Sequence, residues 1–194
     1  MALRKIRFVG DPVLRKRAHE VKRFDADLAT LVQDMAETMR HSNGVGLAAP
    51  QVGITARVIV VETPQDEDEP GSGRLYTVIN PKIARASKEM LDGLEGCLSI
   101  PGYVGEVTRH AAVTVKGQGI EGRKVRFKAQ GFVARVFQHE IDHLHGVLYI
   151  DKLTEPDRLW RVEGGEEEEE EEAEVQNDTS ELAAAGRPPE WIPM

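Results

Sequence analysis

The sequence predicts a single domain that mixes helix with short strands, followed by an acidic tail. Three observations carry this. Residues 131–143 contain His139-Glu140-Ile141-Asp142-His143, an H-E-x-x-H motif in a proline-free stretch. Short apolar or β-branched segments, separated by turn residues, recur between Ala56 and Phe127. Residues 163–194 hold twelve acids and one base, a net of −11, while residues 1–162 hold 24 bases and 21 acids, a net of +3.

A chain of 194 residues, 40% of them hydrophobic, fits one packed domain with an appendage. No apolar run approaches the roughly 18 residues of a membrane span. The basic start, Met1 to Arg7, is followed by no apolar core, so no secretory signal is expected. A single cysteine excludes an internal disulfide and fits a reducing, cytoplasmic compartment. Neither a membrane nor a sequence-specific nucleic acid is expected as a partner.

Taken in order, residues 1–24 read as irregular, with Asp11-Pro12 as a turn signal. Asp25 is a helix N-cap candidate, and Leu28, Leu31, Val32, Met35 and Met39 recur at helical spacing, so residues 26–41 read as an amphipathic helix. Gly44-Val45-Gly46-Leu47-Ala48-Ala49-Pro50-Gln51-Val52-Gly53 ends that helix. Its small residues allow close backbone approach to a ligand or strand, or simply a tight helix-to-strand connection. It lacks the G-K-[ST] ending of a phosphate loop. Ala56–Glu62 reads as a buried strand, 63–74 as a polar loop, Leu75–Asn80 as a strand and Ile83–Leu91 as extended. Val104–Arg109, Ala111–Lys116 and Arg123–Phe127 follow as strands, the last two joined by a hairpin at Gln118–Gly122. After the motif helix, Val147–Ile150 reads as extended and Pro156–Val162 as a final helix. From Glu163 the tail, with Gly164-Gly165, seven consecutive Glu and a proline-rich end, cannot bury apolar surface, and disorder is expected.

The motif helix carries the chemistry. Four residues of helix advance a side chain by about 400°, so His139 and His143 lie about 40° apart on one face and can bind one metal ion. Glu140 lies about 60° round from His143, close enough to serve as general base without ligating. Two histidines so spaced could equally be packed core residues, but a buried Glu between them would be costly without a role. Gly146 fits a helix stop. A catalytic metal needs a third ligand and an open position. His19, His41, His110 and His145 sit in weaker contexts. Cys97, in Leu94-Glu95-Gly96-Cys97-Leu98-Ser99-Ile100-Pro101-Gly102, is the better candidate, although a lone cysteine also reads as a small buried residue.

Gly44–Gln51, Glu95-Gly96-Cys97-Leu98-Ser99 and His139–His143 occur in the order found in bacterial-type peptide deformylases, and over residues 1–160 the chain resembles that family. The resemblance implies an α+β fold with antiparallel strands packed around a central helix that carries both histidines. It says nothing about the tail; with the composition, a catalytic unit is expected over 1–162 and the acidic tail over 163–194. It implies one metal on Cys97, His139 and His143, natively Fe(II), with Ni(II), Co(II) or Zn(II) also compatible with a thiolate and two imidazoles. The implied reaction removes the N-formyl group from the formyl-Met end of nascent polypeptides, with the ribosome as a candidate partner surface. Glu140 would move the proton, while the Gln51 side-chain amide and the Leu98 backbone N–H would hold the oxyanion. Phe132, Arg135 and Val136 share a helix face one and two turns before His139, and with Val45 they would wall the methionine pocket, the Arg135 stem lining it while its guanidinium reaches water. Gly46 would offer its backbone to the substrate chain. Glu95 and Arg109 would either pair behind the metal or stand as ordinary surface charges. Two other readings use the same motif: a peptidase cleaving internal bonds, and a binding module without turnover.

Overall fold

A computed structural model of the chain describes residues 2–162; the acidic tail expected from Glu163 lies outside the described residues. Helix α1 (Ala26–His41) starts where the Asp25 carboxylate accepts from Leu28 N at 3.1 Å, and its stripe of Leu28, Leu31, Val32, Met35 and Met39 is buried. Strands β1 (Gly46–Ala48), β2 (Val58–Val61), β3 (Tyr76–Ala86), β4 (Met90–Cys97), β5 (Ile100–His110), β6 (Ala112–Gln118) and β7 (Lys124–Gln130) follow, then helix α2 (Gly131–His143) and strand β8 (Leu159–Arg161).

The strands form two antiparallel sheets, one of five strands in the order β1-β2-β3-β6-β7 and one of three in the order β4-β5-β8. The five-stranded sheet is covered on both faces. Val58 and Val60 of β2 pack with Met35 and Met39 of α1, while Ile59 and Val61 pack with Val133, Phe137 and Ile141 of α2. Two covered faces explain why Val58-Ile59-Val60-Val61 is apolar at every position rather than alternating. The three-stranded sheet closes a further cluster of Leu14, Ile100, Val107, Leu148 and Tyr149. The α+β architecture is as expected, with α2 at the centre and the H-E-x-x-H residues in its second half.

Four local expectations change. The segment after α1 is not only a connection: Gly46–Ala48 pairs with β2, and Ala49–Val52 forms a 3-10 turn. Ile83–Leu91 is divided between β3 and β4 by a turn in which Ser87 Oγ donates to Glu89 O at 2.8 Å. Val147–Ile150 is not extended, because Asp151 accepts from Leu148 N at 2.8 Å and turns Tyr149–Lys152 into a 3-10 helix. The expected final helix is instead β8, whose Leu159, Trp160 and Arg161 pair with Gly105, Val104 and Tyr103. Pairing along β5 outweighs the local preference of that segment.

Met35 is fully buried between α1 and the sheet. Met35→Ala is expected to destabilise the domain by about 2–5 kcal/mol, the usual range for deleting such a side chain. Urea denaturation measures this, and a loss below about 0.5 kcal/mol would mean that the interface between α1 and β2 is not packed as described.

Candidate metal centre

Three chain segments meet at one point. Strand β4 ends at Cys97, where a bulge between Gly96 and Cys97 turns the strand before Ile100 pairs back. The second half of α2 brings His139 and His143 to the same place. Cys97 Sγ lies 3.3 Å from His143 Nε2, which lies 3.2 Å from His139 Nε2, and the three donor atoms all fall within 4.8 Å of one another. Tetrahedral ligation with metal–nitrogen distances of about 2.0–2.1 Å and metal–sulfur of about 2.3 Å sets donors about 3.3–3.6 Å apart, so this group has the spacing of a ligand set. A thiolate with two imidazoles suits a borderline-soft divalent ion.

The third segment is the 3-10 turn that contains Gln51. Its Oε1 accepts from Ala48 N at 2.7 Å, which fixes the amide and aims Nε2 at the centre, 3.5 Å from Cys97 Sγ and 3.3 Å from Ser99 Oγ. Gln51 is fully buried, so it is no solvated loop residue. The Leu98 N–H donates to no backbone carbonyl among the described residues. Glu140 is buried on the same side, and its Oε2 has no partner among the described residues, as is also true of His143 Nδ1. Burial pushes the Glu140 carboxyl up to about 7, against the pull of His139. A Cβ on Gly46 would lie 2.4 Å from Glu140 Oε1, so only glycine lets β1 pass this close to the carboxylate.

Behind these three residues lies a buried ionic cluster. Glu95 accepts two 2.8 Å hydrogen bonds from Arg109, one of 3.0 Å from Arg135 Nη1, and contacts His139 Nδ1 at 2.9 Å. Burial alone would raise the Glu95 carboxyl, but Arg109 and His139 hold it well below the usual range, so it is ionised at neutral pH. The contact fixes the ring so that Nε2 faces Cys97 and His143. For both rings burial opposes the charged form. Hydrogen bonds to Cys97 and Glu95 outweigh this at His139, while His143, facing His139, is held down. Arg109 also pairs with Asp142, which Lys152 reaches at 2.8 Å. The open alternative for Glu95 and Arg109 thus resolves as a buried pair.

One expectation is corrected. The Arg135 guanidinium does not reach water: besides Glu95, it donates to Val107 O at 2.7 Å, Leu91 O at 2.8 Å and Gly93 O at 3.2 Å. The guanidinium lies against the bare Cα of Gly93, where an added Cβ would be 2.8 Å from Nη2. Val136 is buried in the core cluster on which Val45 packs, and Phe132 is 43% exposed in the first turn of α2. That first turn is held by Glu69 from the 63–74 loop, whose carboxylate accepts from Phe132 N at 3.1 Å. Sequence reasoning did not find Glu69, nor the parts of Asp142, Lys152 and Ser99. Of these, Asp142 in the H-E-x-x-H motif and Ser99 in the Cys97 segment stood in marked contexts.

Replacing Glu95 by Gln removes the charge that Arg109 and Arg135 share. Breaking a buried pair on one side costs about 3–5 kcal/mol, and losing the partner of a ligand histidine costs about 10–100-fold in metal affinity. Glu95→Gln is therefore expected to lower stability in urea and to release metal more readily to a chelator. Wild-type values in both measurements would remove Glu95 as the group that orients His139.

Known proteins resemble this chain over most of its length. The family model described as Polypeptide deformylase matches residues 3–159. A peptide deformylase of Thermomicrobium roseum is 48% identical over 168 residues, covering 86% of this chain and 95% of that one. One from Halothermothrix orenii is 49% identical over 155 residues, covering 79% and 96%. Among solved structures, peptide deformylase from Thermotoga maritima superposes with a TM-score of 0.74 at 44% identity, covering 80% of this chain and 100% of that one. A class I type b peptide deformylase from Acinetobacter baumannii, described as bound to Met-Ala-Ser, gives 0.74 at 37% identity, covering 78% and 99%. On a family match spanning most of its length and relatives near half identity, this chain belongs to the polypeptide deformylase family.

Proposed function

We propose a division of labour among the residues of this site for the family's reaction, the removal of the N-formyl group from the formyl-methionine end of newly made polypeptides. The observation that carries it is the convergence of Gln51 Nε2, Cys97 Sγ and the two Nε2 atoms beside a buried Glu140. Cys97, His139 and His143 would hold one divalent ion, with Fe(II) the proposed native species. When bound, such an ion supplies a Lewis acid that makes water a nucleophile near neutral pH.

The chain's own residues do the rest. Glu140 takes a proton from the attacking water and delivers it to the departing amine, and its burial, which raises the carboxyl, favours holding that proton in between. As the formyl carbon becomes tetrahedral, the Gln51 amide and the Leu98 N–H donate to its oxygen. The bond from Ala48 pre-sets the Gln51 amide, so little reorganisation remains for the moment of reaction. Glu95 positions His139 and touches no reacting atom.

The methionine side chain is proposed to rest against Val45, Phe132 and Val136. The Met-Ala-Ser described in the Acinetobacter baumannii structure supports recognition of an N-terminal methionine in this family. Arg135 drops out as a wall residue because its polar end is committed to Glu95 and the β4–β5 hairpin. Strand β1 is at the edge of its sheet, and a peptide laid along Gly46 would extend that sheet. The ribosome, where such substrates arise, is the proposed partner surface, and the cytoplasm the proposed compartment.

Formate release from a formyl-Met peptide by anaerobically purified protein tests the reading. An internally blocked peptide cleaved in its middle instead would turn the assignment to a peptidase, and metal loading without turnover to a binding module. Glu140→Gln is expected to keep metal and fold yet lose at least about 10²-fold in turnover, the low end of general acid–base contributions. Full activity in that variant would overturn the proton-transfer role. Cys97→Ser should lose most of its metal, because an alcohol is a poor ligand beside a thiolate. A tight equivalent of metal measured in Cys97→Ser would remove Cys97 from the ligand set. A chain ending at Val162 should retain peptide activity, because every proposed site residue precedes position 150; lost activity would place part of the catalytic unit in the tail.

A further inference from the structure

A second concave region has nothing to do with formyl hydrolysis. A groove of ≈ 1170 Å³ lies between the Arg17–Glu20 segment, strands β3, β6 and β7, and the turn after α2, and it shares no residue with the metal centre. Its lining includes Arg17, Arg57, Lys82, Lys116, Lys124 and Arg126, together with two histidines, against the single carboxylate of Glu20. None of these six cations forms an ion pair among the described residues, whereas Arg4, Arg15, Arg40 and Lys152 all find carboxylates. At the centre Arg57 is fixed: its Nη2 donates to Pro81 O at 2.7 Å, and its Nη1 lies 3.3 Å from His145 Nε2. Burial, then the charge of Arg17, pushes the Arg57 guanidinium down, with Glu20 only partly opposing. The groove therefore gathers positive charge that the domain itself leaves uncompensated, in a concave shape that concentrates the field.

We propose that this groove is the docking surface for Glu166–Glu172 of the same chain. The charges are opposite in sign and comparable in number: the run has seven consecutive carboxylates, and the groove has six cations without an ion pair among the described residues, set against Glu20. The attachment bounds the reach. The run lies four to ten residues beyond Val162, so at no more than about 3.6 Å per residue its far end extends up to about 36 Å. A domain of this size has a radius of gyration of about 15 Å, so that reach spans most of its surface. Covalent attachment gives the run an effective concentration of up to about millimolar. A free polyanion such as RNA meets a chain of net charge −8 and must displace an attached competitor. The glutamate run lies outside residues 3–159, the span that the family model matches.

The test uses the full chain and does not depend on activity. Carbodiimide coupling at low ionic strength, read by mass spectrometry, is expected to join Glu166–Glu172 to Lys82, Lys116 or Lys124. These links should vanish at about 1 M salt, where the Debye length is about 3 Å. Arg17→Gln with Arg126→Gln keeps the reporting lysines and should lower the same links several-fold. In a second arm, a short single-stranded RNA serves as a probe polyanion. Changing the seven glutamates to Gln should tighten its binding at least about tenfold at low salt, because the groove is then free. Adding Lys82→Gln, Lys116→Gln and Lys124→Gln should remove that gain. Links spread evenly over Lys5, Lys22 and Lys88 would overturn the proposal, as would no links at all. RNA tightening that survives the lysine changes would reduce the tail to general repulsion. RNA bound in the groove of the full chain as tightly as without the glutamates would give the groove to RNA instead.

Discussion

The buried carboxylate of Glu95 is the constraint on which the site depends. Its two oxygens are shared by Arg109 from β5 and by Arg135 and His139 from α2, so one side chain ties the three-stranded sheet to the central helix. The charges close only if the circle is drawn wider: Glu95 and Asp142 stand against Arg109 and Arg135, with Lys152 at the edge on Asp142. Such clusters add little net stability over well-packed apolar residues, because desolvation consumes most of the Coulombic gain. What this one supplies is position. Two residues after Glu95 comes Cys97, and four residues after Arg135 comes His139. Fixing the carboxylate against the helix therefore sets the thiol against the imidazoles with no flexible segment between.

A second constraint acts from the other side. Helix α2 lies on the inner face of the five-stranded sheet, and Glu140 projects from it toward β1. The carboxylate fits only because Gly46 has no side chain, and the same strand leads into the turn that delivers Gln51. The fit between sheet and helix thus sets the distance between Glu140 and Gln51. That fit rests on apolar packing: Val61, Val133, Phe137 and Ile141 fill the space between the two elements. The core thereby determines how Glu140 and Gln51 stand relative to each other.

Much of this was legible in the sequence. The i, i+4 spacing of His139 and His143 declares a helix face, Asp25 declares a helix start, and the turn at Gln118–Gly122 declares a hairpin, since each is a local signal. Cys97 was found by asking what a two-histidine site still lacked. The parts that escaped are those where tertiary partners decide. Leu159-Trp160-Arg161 is a strand only because β5 offers it an edge. Leu148 and Tyr149 are adjacent and both buried, which a strand's alternation would not predict, because an Asp151 cap turns the chain there. Glu69 lies in a loop with no periodicity at all, and nothing in its neighbours says that it caps the first turn of α2.

Arg135 is the instructive case. Its spacing from His139 was read correctly, since the two lie one turn apart on a common stripe, yet the stripe alone does not say what waits opposite. A proposed pocket wall, Phe132 and Val136, and an anchor behind the Cys97–His139–His143 group lie along the same helix. The chemistry of the side chain separates them. A guanidinium in a buried stripe must find acceptors, and α2 offers none of its own, because its interior carbonyls are already engaged in helix bonds. Acceptors that are free come from a β-bulge, a strand edge or a carboxylate, and the β4–β5 hairpin supplies Leu91 O, Gly93 O, Val107 O and Glu95. Gly93, lacking a side chain, leaves the space. Glu95 in the cysteine segment, Gly93 two residues before it and Arg135 one turn before the first histidine are thus one device written in three places. The sequence shows its pieces, but only the demand that a buried guanidinium be satisfied joins them.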